Sequence, residues 1–124
     1  MFVAARGLDG NLWLNQADLG GHFNNFWSPM GFSTDVAPAV AAVGNNVYFF
    51  AKSLDGRVFY NRAVLGQAGL GWTEVDGNGR ISSAPAAAGV GTHVFVAARG
   101  LDGNLWLNQA DLGGHFNNFW SPMQ

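Results

Sequence analysis

Three groups of residues in this 124-residue chain carry the chemistry of a noncovalent binding site. Arg6, Trp13 and Asn15 form the first, and Arg99, Trp106 and Asn108 repeat it unchanged. Between them stand Lys52, Phe59 and Asn61, again a cation, an aromatic ring and an amide. Trp72 adds a further indole at a position it shares with Trp27 and Trp120. An indole offers a flat apolar platform, while amides and guanidinium groups make directed hydrogen bonds. Together they suit a ligand with a C–H face and a rim of hydroxyls.

Each of these residues also has a purely structural reading. Trp27, Trp72 and Trp120 recur at the start of a strand, where aromatic rings pack one sheet on the next. Trp13 and Trp106 alternate with leucines, so ring and leucines face opposite sides of a strand. Packing and ligand stacking both remain open for them. Arg6, Lys52 and Arg99 sit close to Asp9, Asp55 and Asp102 and could form salt bridges or turn contacts. Asn15, Asn61 and Asn108 end strands, where amides often satisfy backbone groups.

Catalysis finds little support. Of the eight acidic residues, Asp9, Asp55 and Asp102 belong to Asp-Gly turns, and Asp18 and Asp111 are copies of one loop position. A glycosidase needs two carboxylates opposed across a cleft, and the sequence identifies no such pair. Ser53–Gly56 superficially resembles the Asp-box of sialidases, but its glycine follows the aspartate directly and the later tryptophan is absent. No nucleophile elbow or phosphate loop occurs. His22, His93 and His115 lack metal-ligand spacing. His22-Phe23 and His115-Phe116 occupy one repeated loop position and would either clasp a ligand or be solvated. The absence of cysteine removes thiolate zinc sites, disulfides and cysteine nucleophiles. The expectation is a protein that is not an enzyme and uses neither metal nor cofactor.

Six basic against eight acidic residues give a net charge of −2, with no basic run. Nucleic acid is therefore a poor partner. The first residues, Met1–Arg6, lack the pattern of a signal peptide. Val36–Val43, interrupted by Pro38, is too short to span a bilayer. The chain reads as soluble and without membrane insertion, and its compartment is left open.

The elements that position the candidate residues follow from internal repetition. Residues 2–30 recur without a change as residues 95–123, 93 residues later. A diverged copy lies between them, and Leu8, Leu54 and Leu101 stand 46 and 47 residues apart. Each unit of about 47 residues holds four strand-like runs. The first is small-residue, at Ala37–Val43 and Ala84–Val90. The second covers Phe2–Arg6, Val47–Lys52 and Val94–Arg99. The third covers Asn11–Gln16, Arg57–Arg62 and Asn104–Gln109. The fourth is short, at Phe26–Met30, Gly71–Val75 and Phe119–Met123. Asp9-Gly10, Asp55-Gly56 and Asp102-Gly103 mark hairpins between the second and third runs, where a residue with positive φ is needed.

Small inner strands and bulkier outer ones, four to a unit, form the pattern of an all-β propeller. The expected organisation is a partial blade at residues 1–30 (second to fourth strands) and full blades at 31–75 and 76–124. Such an arc leaves two apolar blade faces bare. Homo-oligomerisation is expected to complete a ring, either as a six-bladed dimer or as a trimer with one set of end strands displaced. Natural copies drift, so the perfect duplication reads as an engineered or newly duplicated fragment.

Three segments carry a family resemblance: Ser83–Ala88 (SAPAAA), Val94–Asn108 (VFVAARGLDGNLWLN) and Trp72–Gly79 (WTEVDGNG). Blade after blade, the chain resembles the repeat of bacterial PLL-type lectins, seven-bladed propellers that bind fucose and O-methylated sugars. The resemblance implies a carbohydrate-binding module for fucose or related sugars, with multivalent sites between neighbouring blades. The candidate sugar-binding residues are then Arg6, Trp13, Asn15, Lys52, Asn61, Trp72, Arg99, Trp106 and Asn108. The alternative is a structural or protein-interaction propeller scaffold that binds no sugar. The chain departs from the family in lacking a full ring and in substituting Lys52 and Phe59 in its middle copy.

Overall fold

The computed structural model describes residues 2–16, 20–23, 27–64, 71–111, 115–117 and 119–123. These form eleven strands and no helix, so none is long and apolar enough to cross a membrane. β1 (Phe2–Arg6), β2 (Asn11–Gln16) and β3 (Ser28–Ser33) make a first antiparallel sheet. β4 (Ala39–Val43), β5 (Asn46–Lys52), β6 (Val58–Val64) and β7 (Trp72–Glu74) make a second. β8 (Ala86–Val90), β9 (His93–Arg99), β10 (Leu105–Ala110) and β11 (Ser121–Pro122) make a third. Within each sheet, strands consecutive in the chain lie side by side.

Local turn chemistry explains this order. The Asp-Gly segments were expected to make hairpins, and Gly10, Gly56 and Gly103 do adopt φ of +84°, +92° and +84°. In each, a β-turn closes on the N–H of the glycine itself, as in Gly103 N to Gly100 O at 3.0 Å, with Gly100 N bonded to Asn104 O at 2.8 Å outside it. This is a type I turn followed by a left-handed residue, which glycine adopts without steric cost.

The fourth strands depart from expectation in extent. Phe26 lies outside the described residues, and β3 runs on to Ser33, past the expected end at Met30. Its partner β2 shifts register between Asn11 and Trp13, and that bulge lets Asn11 pair with Ser33. β11 begins at the equivalent residue but comprises only Ser121 and Pro122. The added residues of β3, Gly31, Phe32 and Ser33, follow the duplicated segment, and Ser33 makes the extra pairing.

The core lies between sheets. β5 alternates strictly and is buried on both sides. Tyr48 and Phe50 join Val58, Val94, Val96 and Ala98 between the second and third sheets. Val47 and Phe49 join Ala63 and, from the first sheet, Ala4, Leu14 and Met30. Burying Phe49 and Phe50 contributes about 1.5–3 kcal/mol each. The inner strands also meet: Gly89 of β8 lies directly against the Ala42 carbonyl of β4, and a Cβ at Gly89 would fall well inside contact distance of that oxygen. The small-residue run is thus a requirement of backbone-to-backbone approach. Replacing Gly89 with valine is expected to lower stability by about 1–3 kcal/mol through overpacking, read as an earlier midpoint in urea denaturation.

Candidate functional site

The hairpin between β9 and β10 stands beside the link from β7 to β8, residues 75–85. Together they border a cavity of about 440 Å³, within the range of small-ligand pockets. Its aromatic walls are Trp106, Phe119 and Trp120, and its backbone floor includes Gly77, Gly79 and Gly100. Arg80 supplies a cation and Asp102 a carboxylate. The lining is mostly apolar, with a few polar groups converging on it.

Polar contacts hold these side chains in place. Trp106 donates its indole N–H to Asp102 Oδ1 at 3.2 Å. Asp102 also accepts the backbone N–H of Asn104 at 3.0 Å. These hydrogen bonds, the backbone one above all, hold the Asp102 carboxyl below the usual carboxylate range. Arg80 curls back on its own turn, with Nη1 donating to Gly79 O at 3.1 Å. Glu74 lies 3.8 Å from the same nitrogen. Trp120 rests on the Gly77–Gly79 turn, and its buried Nε1 finds no acceptor among the described residues.

The first sheet repeats half of this arrangement. Ala5, Arg6, Gly7, Trp13 and Trp27 border a cavity of about 390 Å³. Trp13 donates to Asp9 Oδ1 at 3.3 Å, as Trp106 does to Asp102. Its described lining includes no counterparts of Gly77, Gly79, Arg80 and Ile81.

The remaining candidates fall elsewhere. Asn108 is buried beneath the third sheet, donating to Asp76 O at 2.9 Å and Asn117 O at 3.2 Å. Its own oxygen accepts from Gln109 N and Asn117 N at 2.7 and 3.1 Å. Asn15 likewise accepts from Gln16 N at 2.7 Å, and Asn61 is buried at the same position in the second sheet. Lys52 is buried in an ion pair with Asp35 at 2.7 Å, which depresses the Asp35 carboxyl. Arg99 is exposed and donates to Ser82 Oγ at 2.9 Å. Trp72 donates to Met30 O at 2.8 Å, tying the second sheet to the first. The structure therefore gathers Trp106 into one cavity, and Arg6 with Trp13 into another.

A fucose lectin from Kordia zhangzhouensis, solved in complex with methyl-fucoside, matches with a TM-score of 0.69 at 16% identity, over 98% of this chain and 87% of that one. AofleA from Arthrobotrys oligospora matches with a TM-score of 0.73 at 14% identity, over 98% of this chain. This chain shares their fold. It spans 37% of the length of AofleA. No protein-family model matches the sequence, and no curated protein matches it.

Sequence reasoning missed Arg80, Phe119 and Asp102 as pocket residues. Asp102 was legible only as a turn former, because its contact with Trp106 spans four residues across a hairpin. Arg80 lies in a link whose path no periodicity sets. The His-Phe loop position splits between its copies, since Phe116 is buried against Tyr48 and Phe50 whereas Phe23 is exposed.

Asp102 titrates low because its ionised form accepts hydrogen bonds, so the stability it contributes is present above the ordinary carboxylate pKa of about 3.9 and lost as pH falls through its lowered value. Trp106→Phe removes one donor and is expected to move the Asp102 pKa up toward that ordinary value. A carboxyl-carbon NMR titration checks this, with Asp9 beside an intact Trp13 as the internal control.

Proposed function

We propose that the chain is a noncatalytic carbohydrate-binding protein whose sugar, fucose or a related one, enters pockets between neighbouring sheets. The observation that carries this reading is the cavity walled by Trp106 and Trp120 with Arg80 and Asp102 on its lining. An indole covers the C–H face of a sugar ring, and charged groups at the edge take its hydroxyls. The fold shared with a fucose lectin supports the ligand class.

The three sheets act as blades of a propeller that several copies complete, with residues 1–30, 31–75 and 76–124 as the units. Support comes from identical residues in unlike surroundings. Val3 is 37% exposed where its copy Val96 is 0%, and Phe23 is 48% exposed where Phe116 is 7%. The outer face of the first sheet thus repeats the face that the third sheet buries against the second. The third sheet's outer face, with Met123 exposed, repeats the face on which Met30 packs inward. Head-to-tail association of copies therefore reproduces the internal contact, and a closed ring follows where the rotation closes. The half cavity around Arg6, Trp13 and Trp27 then lies at the junction between copies. Several weak sites on one ring bind a multivalent glycan through effective concentration. The perfect repeat of residues 2–30 supports an engineered or recent origin.

Calorimetric titration with methyl-fucoside is expected to give heat, and Trp106→Ala to weaken binding by about 30-fold, the loss of a hot-spot aromatic. Silence toward methyl-fucoside and across a glycan array would leave a scaffold. Sedimentation is expected to show a whole multiple of 13.2 kDa, and Val3→Arg to shift it toward single chains. A folded wild-type particle of one chain's mass would sink the ring.

A further inference from the structure

We infer that only one of the two inter-sheet grooves inside a chain admits a ligand, because Phe32 occupies the other as a built-in plug. This deepens the carbohydrate-binding reading and rests on it for the identity of the ligand.

Strand register makes the two grooves comparable position by position. Trp106 faces Ala98 and Pro122 across its neighbours, and Phe59 faces Ala51 and Glu74 in the same way. Phe59 is therefore the counterpart of Trp106, and Trp72 of Trp120. Both links end alike, with Thr34 N bonded to Gly10 O at 2.9 Å and Ile81 N to Gly56 O at 2.8 Å. Counting three residues on from Glu74 and from its equivalent Pro29 places Gly77 opposite Phe32.

The side chains at that one position differ by a whole aromatic ring. Phe32 lies 4.6 Å from the Trp72 ring and 5.5 Å from the Phe59 ring, centroid to centroid. It stands against the very two rings whose counterparts, Trp106 and Trp120, wall the 440 Å³ cavity. Aromatic contacts of this length are favourable, so the plug is held in place. In the second groove Gly77 has φ of +101°, a conformation that disfavours any side chain. A Cβ there would lie 3.0 Å from Trp120 Cδ1, and one at Gly79 would collide with Trp120 Nε1. Two glycines thus allow the Trp120 indole to fold back onto the link and leave the cavity open. The chain length between Met30 and Thr34 is two residues shorter than between Val75 and Ile81, so the first link has no such turn.

Phe32→Ala is expected to add one methyl-fucoside site per chain in calorimetry, and Gly79→Val to remove one by driving Trp120 into the cavity. An unchanged stoichiometry in a folded Phe32→Ala protein would overturn the inference. Should alanine prevent folding, Phe32→Val is read in the same way. A second readout separates this inference from the ligand assignment. Acrylamide quenching is expected to reach one more tryptophan, Trp72, in Phe32→Ala than in the wild type, whether or not any sugar binds. No gain in quenching would refute the plug, while quenching without sugar heat in any variant would refute only the ligand class.

Discussion

Strand β5 has no polar side. Val47 and Phe49 point into one interface and Tyr48 and Phe50 into the other, so the middle sheet is stable only with a sheet on each face. A lone antiparallel sheet commonly shows alternation between apolar and polar faces. Here the alternation is between two apolar sets, and the requirement for neighbours passes outward. The third sheet satisfies one face of β5 with Val94, Val96 and Ala98 and leaves Leu105 and Met123 exposed on its far side. The first sheet satisfies the other face and leaves Val3 and Trp27 exposed.

The same stacking creates the candidate site. Where two sheets meet at their outer ends, a hairpin from one and a link from the other enclose a space whose contents depend on link length. A short link carrying Phe32 fills it; a longer one with Gly77 and Gly79 leaves it empty. The openness of each groove is therefore set in the connections, while the strands beneath supply its walls. Asn108 illustrates that support. By bonding Asp76 O, it anchors the start of the link that borders the cavity.

Much of the fold was legible in the sequence because its determinants are local. Asp55-Gly56 and its copies fix a hairpin within four residues, and a repeat of about 47 residues orders the strands. The site was less legible. Trp106 stood out by type, but its selection over Trp72 depends on which link passes over it. The opposed roles of Phe32 and Gly77 emerge only from cross-strand register. Phe23 and Phe116 could not be told apart at all, since their neighbours in sequence are the same and only their neighbours in space differ. Asn15, Asn61 and Asn108 were read as polar candidates because their burial is invisible in a run such as Leu-Asn-Gln.

One consequence of the duplicated ends concerns the reuse of a single stretch of chain. Residues 2–16 and 95–109 are identical, yet the first copy turns Ala4 and Leu14 toward β5 while the third turns Val96 and Ala98, the copies of Val3 and Ala5. The same segment thus serves as either the left or the right neighbour of a sheet, and one substitution within it disturbs a different interface according to the copy that carries it.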